Sequence, residues 1–410
     1  MKLFNKRRLV IWICIVTVGS LWVIIYGNGL FESKSLSHKN RIPHGLNENK
    51  HASRSSMETL ESSQELLVVD NFTLKTPNDS MLNAHFLDDL PCEMGFQQEY
   101  EIDFPTENTA SPKIPHVIHQ IWITTSANLS TSSQQMVPVQ FIDNMKTFRK
   151  FNPSWEYMFW SFANGRSLIE RFYPTLLDVF DKAPKSVTKS DLLRYVVVHK
   201  YGGLYADLDS TCHRSLDRVT MKYSCILVPA PFENAVFMVN WPYHICNGIF
   251  FCRPHHDFFG FLIEKISEIS TLSPIPTFSL GPRFFTTIYR QYQNISGEDM
   301  YKVNVRANFI SPYFYRGHIS ELLSNGIYIP NTRFFLDQPH PFLKKRLAKD
   351  CKNNTNNRLL LQRVCCVFQL RGFERPPGRY TFISHAYSYS FAGFNKNKYT
   401  NCVPVIDVMD

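Results

Sequence analysis

From residue 9 to residue 26 the chain reads LVIWICIVTVGSLWVIIY, a run without charge that only Thr17, Gly19 and Ser20 weaken. As a helix, these residues at ~1.5 Å each would cover ~27 Å, the hydrocarbon thickness of a thin bilayer. Trp12, Trp22 and Tyr26 are of the type that settles at membrane interfaces, and Lys6, Arg7 and Arg8 immediately precede the run. The positive-inside rule therefore predicts a single transmembrane helix at 9–26, a cytosolic tail at 1–8 and a luminal remainder. A cleaved signal peptide is the alternative. Its apolar core is normally shorter, and no convincing small-x-small site follows Tyr26.

Residues 27–112 are rich in Ser, Asn, Glu and Lys and lack sustained periodicity. They read as a solvated stem that ends near SPKIP (111–115), with HFLDDLPCEMGF (85–96) a candidate to pack onto the body at 113–410. No internal repeat is evident. That body is long enough for one large α/β domain. IPHVIHQIWI (114–123) has the β-branched, apolar character of a buried strand, and WEYMFWS (155–161) alternates like another. Helical pattern occupies about 165–181. KSDLLRYVVVHKYGG (189–203) predicts a helix with Ser190 as N-cap, Asp191 in the first turn and Gly202–Gly203 as its stop. A strand at 204–209 leaves that helix, followed by strands at 225–230 and 244–252 and helices near 256–269 and from Pro282. Such alternation predicts a mostly parallel, helix-covered sheet.

Charge separates the same three segments. The net +9 divides into +4 over residues 1–26, −8 over 27–112 and +13 over 113–410. A uniform nucleic-acid-binding surface does not explain that distribution. The basic body suits an anionic ligand, beside anionic lipid headgroups. A luminal body also agrees with N-x-[ST] sequons at Asn71, Asn78, Asn128, Asn294 and Asn353. Of ten cysteines, Cys14 lies in the apolar run, leaving nine for an oxidising compartment. The odd count leaves a thiol over, available to a disulfide-linked dimer; a non-covalent dimer is equally open. Cys365–Cys366 and Cys246–Cys252 read as disulfide candidates. A zinc site is disfavoured, because no paired C-x2-C spacing is present.

The chemistry concentrates at 190–209. On the strand at 204–209, alternation puts Tyr205, Asp207 and Asp209 on one face and Leu204, Ala206 and Leu208 on the other. Two carboxylates then sit side by side at the carboxyl end of a strand, where open α/β sheets bind ligands. They repel unless a cation lies between them, and a hard divalent ion would also grip a diphosphate. Asp191 and Arg194, three residues apart, share a helix face. A solvated strand end with a surface ion pair is the plain alternative. His116 and His119 form H-x-x-H, but on a strand they point to opposite faces and cannot chelate together.

SDLLRYVVVHKYGGLYADLD (190–209) resembles the sugar-nucleotide-binding signature of glycosyltransferase family 32, the DXD-containing sugar-binding glycosyltransferases. That family includes initiating α-1,6-mannosyltransferases, inositol-phosphoceramide mannosyltransferases and, more distantly, α-1,4-galactosyltransferases. The resemblance extends over about 113–390. It takes in IPHVIHQIW as a first strand, DSTCHRSLD (209–217) after the carboxylates, CNGIFFCRPHHDFF (246–259), GPRFF (281–285) and SHAYSYSF (384–391). DSTCHRSLD is nearer the mannosyltransferase side of the family.

The resemblance implies a GT-A-type, Rossmann-like single catalytic domain behind the N-terminal transmembrane helix, and a retaining hexosyl transfer. Asp207 and Asp209 would hold Mn2+ (or Mg2+) on the diphosphate of a GDP-mannose- or UDP-galactose-class donor, and His385 would complete the metal or the phosphate contacts. Asp191 and Arg194 would bond the donor sugar, Tyr205 would line its pocket, and Trp122 would stack on the base. Asn247 would lie at the junction of sugar and acceptor, and Gly281 would start a helix facing phosphate. The acceptor would be a glycan or glycolipid, and the setting a Golgi or ER–Golgi membrane. Two alternatives from other classes are a catalytically silent carbohydrate-binding relative and a phosphatase. DLDST (207–211) satisfies D-x-D-x-[TV], with Asp207 as nucleophile. That second reading needs an apolar strand directly before the motif near the start of the domain, where here GGLYA intervenes after a helix, and a downstream G-D-x-x-x-D, which the chain lacks.

Overall fold

The computed structural model describes residues 14–18, 21–25, 100–101, 103–106, 111–123, 135–241, 243–273, 279–295, 325–352, 359–388 and 401–406. Two compact units divide the chain, residues 1–75 and 76–410.

In the first unit the predicted helix at 9–26 is not observed. Its described residues are two antiparallel strands, β1 (Cys14–Val18) and β2 (Leu21–Ile25), paired from Cys14 with Ile25 to Val18 with Leu21. An apolar run rich in Val and Ile does not by itself separate strand from helix. Pairing across the run satisfies the inward-facing half of its backbone groups, where a helix would satisfy them along the run. Among the described residues, no helix is long and apolar enough to cross a membrane.

The second unit is built on a six-stranded sheet ordered β10-β8-β9-β6-β3-β5. Its strands are β3 (Val117–Ile121), β5 (Glu156–Trp160), β6 (Gly203–Ala206), β8 (Cys225–Pro229), β9 (Ile245–Cys252) and β10 (Ile327–Tyr328). β5, β3 and β6 run parallel, as do β8 and β10, while β9 runs against both of its neighbours. The sheet is thus an α/β sheet, parallel-dominated as predicted: five strands run one way and β9 alone is reversed. Short ribbons pair β4 (Met136–Pro138) with β12 (Cys402–Pro404), and β7 (Ser210–Cys212) with β11 (Ile383–His385).

Helices α1 (Ile142–Phe151), α2 (Phe162–Phe172), α3 (Leu177–Lys182), α4 (Ser186–Tyr201), α5 (Asp257–Ser267) and α6 (Pro282–Tyr292) follow in chain order. Then come α7 (Thr332–Phe335), α8 (Leu343–Asp350) and α9 (Leu359–Arg371). α4 starts a turn earlier than predicted, capped at Lys185, so Ser190 lies inside it. It stops as expected at Gly202 and Gly203, at φ +68° and +100°. At Gly203 a Cβ would come within 2.4 Å of the Val117 carbonyl, so a side chain is excluded there.

Both faces of β6 are covered. Leu204 and Ala206 pack with Ile118, Ile226, Ile249 and Phe251 in the larger core, which also holds Phe104, Phe335 and Phe382. Tyr205 faces the helices, its ring 5.4 Å from Phe250, while Tyr195 stacks on Phe285. Phe104 is fully buried and Asp103 accepts a hydrogen bond from Tyr328 (2.8 Å), so the packed body reaches back to residue 100.

Neither disulfide candidate forms as expected. Cys252 is bonded to Cys225, its cross-strand partner on β8, and Cys365 to Cys351. Cys246 and Cys252 lie six positions apart on one extended strand, ~20 Å at ~3.3 Å per residue, too far for a bridge. Vicinal Cys365 instead points from α9 towards the end of α8. Asn294 is exposed; Asn71, Asn78, Asn128 and Asn353 lie outside the described residues.

His116 and His119 are structural, as predicted. His116 stacks on Trp155 and meets Thr220. His119 is fully buried, its Nε2 on the Gly202 carbonyl (2.8 Å) and its Nδ1 accepting from Trp160 (3.1 Å). Burial pulls its pKa down to about 4, only partly offset by the bond to Gly202. The unfolded chain therefore binds more protons between about pH 6.5 and 4, and His119 contributes stability above that window that is lost as pH falls through it. At ~1.4 kcal/mol per unit the loss is ~3 kcal/mol. Urea denaturation across this window should show falling stability, less steeply in His119→Gln; an unchanged slope in that variant would reject the assignment.

Candidate functional site

β6 ends at Ala206, one residue before the first carboxylate, and Asp207–Asp209 form a turn closed by Ser210 N–H on the Asp207 carbonyl (3.0 Å). The two carboxylates thus do not meet through strand alternation. They converge because the turn folds back into β7, which pairs with β11 and sets His385 opposite Ser210. His385 Nε2 lies 3.1 Å from Asp209 Oδ1 and 3.4 Å from Asp207 Oδ2. Ligand atoms of all three residues fall within 4.8 Å of one another.

Each carboxylate is held by further donors. Ser388 gives Asp209 Oδ2 both its N–H and its hydroxyl at 2.7 Å, and Ala386 N–H meets the Asp209 carbonyl. Asp207 Oδ1 accepts from the Tyr205 hydroxyl (2.6 Å) and sits 3.4 Å from Arg194 Nη1. Burial alone would raise the Asp207 pKa, but Arg194 and His385 outweigh it and hold the carboxylate below its ordinary range. His385 moves the other way: burial opposes its protonation, yet Asp209 and Asp207 raise its pKa.

Behind this front lies a buried polar layer contributed by α4 and β9. Because β9 runs antiparallel to β6, its leading residues lie beside the carboxyl end of β6, Ala206 opposite Ile249. Arg194 (5% exposed) contacts Asp191 at 3.2 Å, donates to the Asn247 carbonyl (2.9 Å) and covers the Tyr205 ring. The Asn247 amide bonds Asp191 Oδ1 (2.8 Å) and the Tyr195 hydroxyl (2.9 Å), which itself donates to the Leu280 carbonyl. Burial pushes Asp191 up to about 6, although Arg194 and Asn247 pull it down. Three charges in one dry pocket are tolerable only because two carboxylates flank one guanidinium.

The predicted residues therefore separate into groups. Asp207, Asp209, His385, Arg194, Asp191, Tyr205 and Asn247 form one connected cluster. Trp122 follows β3 at the same edge of the sheet, half-buried with its ring 5.7 Å from Phe141, against a small core that includes Leu208. Gly281 is the N-cap of α6 and touches this cluster only indirectly, through Leu280 and Tyr195. Tyr195, Gly248 and Ser388 are additional members. All three stand inside the segments that carry the resemblance, Gly248 directly after Asn247 in CNGIFFCRPHHDFF.

The donor set fits a hard divalent cation: two carboxylates on the turn between β6 and β7 and an imidazole on β11. Gly248 is part of the fit, since a Cβ there would stand 2.6 Å from Asp207 Oδ2. Tyr387 N–H donates to His385 Nδ1 (3.0 Å), leaving the ring proton on Nε2, aimed at the carboxylates. Ligation through Nε2 would transfer that proton to Nδ1 and open the contact with Tyr387. The other cluster of metal-ligand type among the described residues, Cys225, Cys252 and His256, has its sulfurs joined as a disulfide.

Residues 138–226, which contain α4 and both carboxylates, match the family model described as "Glycosyltransferase sugar-binding region containing DXD motif". "Inositol phosphoceramide mannosyltransferase 2" of Schizosaccharomyces pombe is 27% identical over 197 residues, 47% of this chain and 51% of the relative. "Mannosyl phosphorylinositol ceramide synthase SUR1" of Saccharomyces cerevisiae is 24% identical over 305 residues, 72% of this chain and 69% of the relative. "Initiation-specific alpha-1,6-mannosyltransferase" of Candida albicans is 25% identical over 198 residues, 44% of this chain and 49% of the relative. The chain spans about half the length of most of these relatives.

Proposed function

We propose that this chain, whose residues 138–226 belong to the DXD-containing sugar-binding region of glycosyltransferases, transfers a hexose from a nucleotide sugar to a glycan or glycolipid acceptor. The observation that carries this reading is the convergence of Asp207, Asp209 and His385 in front of the buried Arg194–Asp191 pair. A GT-A-type catalytic domain is part of the same proposal, supported by the sheet order and by the motif at the carboxyl end of β6, and a retaining outcome is carried over from the resemblance alone.

Asp207, Asp209 and His385 would hold Mn2+ or Mg2+, and that ion would supply positive charge to the diphosphate leaving group. The chain's own residues do the remaining work. Tyr205 and Arg194 fix the Asp207 carboxylate, and Ser388 fixes Asp209, so neither reorganises as charge develops. Arg194 and Asp191 form the floor on which the donor sugar would rest, and Asn247 ties that floor to β9, beside the acceptor. Trp122, at the adjoining strand end, would be the surface for the base, and Gly281 begins the helix that would face phosphate.

A mannose- or galactose-class donor and a lipid-linked acceptor are the readings suggested by the named relatives. Residues 9–26 as a membrane anchor, with the body in the lumen of the Golgi or an adjoining compartment, are proposed from the apolar run and its cationic flank. Two disulfides support an oxidising compartment.

The test is a screen of the full chain against the common sugar nucleotides, GDP-mannose and UDP-galactose first, each with Mn2+ and with a chelator. One donor should release free nucleotide only with metal, and faster when a glycolipid acceptor is present. No metal-dependent release from any common sugar nucleotide would overturn the reading.

A further inference from the structure

Helix α8 has two faces of opposite character. Leu343 and Leu347, one helical turn apart, are fully buried, and the Cys351–Cys365 disulfide fastens its end to α9. Lys344, Lys345, Arg346 and Lys349 are exposed on the remaining faces, with exposed Lys352 just beyond. Lys344 pairs with Glu374 and Arg346 with Asp350, the one acid within 341–352. Lys345, Lys349 and Lys352 are in no ion pair among the described residues. Lys345 and Lys349, four apart, point directly away from the buried leucines.

Phe342 stands at the start of this helix, 54% exposed. A bare aromatic ring beside a row of cations on a rigid support matches a bilayer interface, where the ring enters the headgroup region and the cations meet anionic lipid. The patch is also continuous with the site. The Phe342 ring lies 4.2 Å from His340, His340 4.9 Å from Tyr387, and Tyr387 4.6 Å from His385.

We propose that Phe342 and the outer face of α8 seat on a bilayer leaflet that carries acidic lipid headgroups on the luminal side, so that the headgroup of a membrane-borne acceptor approaches the carboxylate site from the membrane plane. The seating rests on the patch itself, and the delivery of an acceptor rests on the glycosyl-transfer reading. Each cation near an anionic surface strengthens partitioning about fivefold, so reversing two of them removes most of the attraction.

Hydrogen exchange of the full chain in lipid nanodiscs tests this, comparing phosphatidylcholine alone with discs carrying about one-third phosphatidylserine. Amides at 341–352 should exchange more slowly only in the anionic discs. That protection should be lost in Lys345→Glu/Lys349→Glu and at high salt, and reduced in Phe342→Ser. Equal exchange in both disc types, or protection that survives charge reversal, would overturn the proposal. So would protection that appears with soluble polyglutamate but not with anionic discs, which would point to an acidic protein instead. Donor hydrolysis should be the same in the double variant and the parent. Its absence in the parent would count against glycosyl transfer while leaving the exchange result to judge the seating.

Discussion

Asp209→Asn should lower metal-dependent donor turnover by about a thousandfold or more while leaving the fold intact. The separation of the two effects follows from the contacts of this side chain. Its Oδ2 accepts from the Ser388 N–H and hydroxyl, and an asparagine oxygen can keep both bonds. Its Oδ1 meets His385 Nε2, and there an amide would set a donor against a donor, which the imidazole can relieve by moving its proton at the expense of the Tyr387 N–H bond to Nδ1. The stability cost should therefore be about 1 kcal/mol, the worth of an ordinary hydrogen bond. Loss of the anionic ligand has no such remedy, because a neutral amide neither compensates a divalent cation nor shares its charge with a diphosphate. Asp207→Asn should be as inactive but less stable, since Asp207 is also a counter-ion of buried Arg194. Nucleotide release and urea denaturation, measured side by side, decide the matter. Full turnover in Asp209→Asn would reject the metal site, and a large stability loss with no change in turnover would make Asp209 structural.

Most of this site was readable where its logic is local. The run from Ser190 to Asp209 contains a helix, its glycine stop and a short strand, each declared by residue type, and the resemblance rests on those spacings. His385 was reachable only through the resemblance, since no periodicity links it to a carboxylate 178 positions away. What local pattern could not supply was direction and partnership. A buried apolar strand such as β9 reads the same whether it runs with its neighbours or against them, and its reversal is what brings Asn247 and Gly248 to the carboxylates. The same blindness applies to Cys252, whose partner is set by register with β8. The placing of Asp207 and Asp209 on one strand face failed because the strand ends at Ala206; the convergence survived through the turn and β11, a tertiary cause.

Arg194→Met should destabilise the protein by about 3–5 kcal/mol near neutral pH, the cost of leaving buried charge without its partner. Methionine fills much of the volume, so the deficit reports electrostatics more than a cavity. Arg194 is the cation shared by Asp191, 3% exposed, and Asp207, which also meets His385. Asp191 has the guanidinium and the Asn247 amide, and already sits at about 6 because burial outweighs both. Without Arg194 its folded-state pKa should climb further above the unfolded value of about 3.9. A folded-state pKa raised in this way means that the native protein binds the proton more tightly. Stability is then fully present at low pH and is lost as pH rises through the folded value. The deficit of Arg194→Met should therefore shrink when the measurement moves from about pH 7.5 to about pH 5, a direction opposite to that produced by His119. Adding Asp191→Asn should recover part of the loss at the higher pH, giving a coupling of about 1–3 kcal/mol in a double-mutant cycle. Denaturation curves for the four proteins at the two pH values supply every term. A deficit that is the same at both pH values and additive with Asp191→Asn would show that Arg194 acts through its packing on Tyr205, and that the buried carboxylate is compensated by other means.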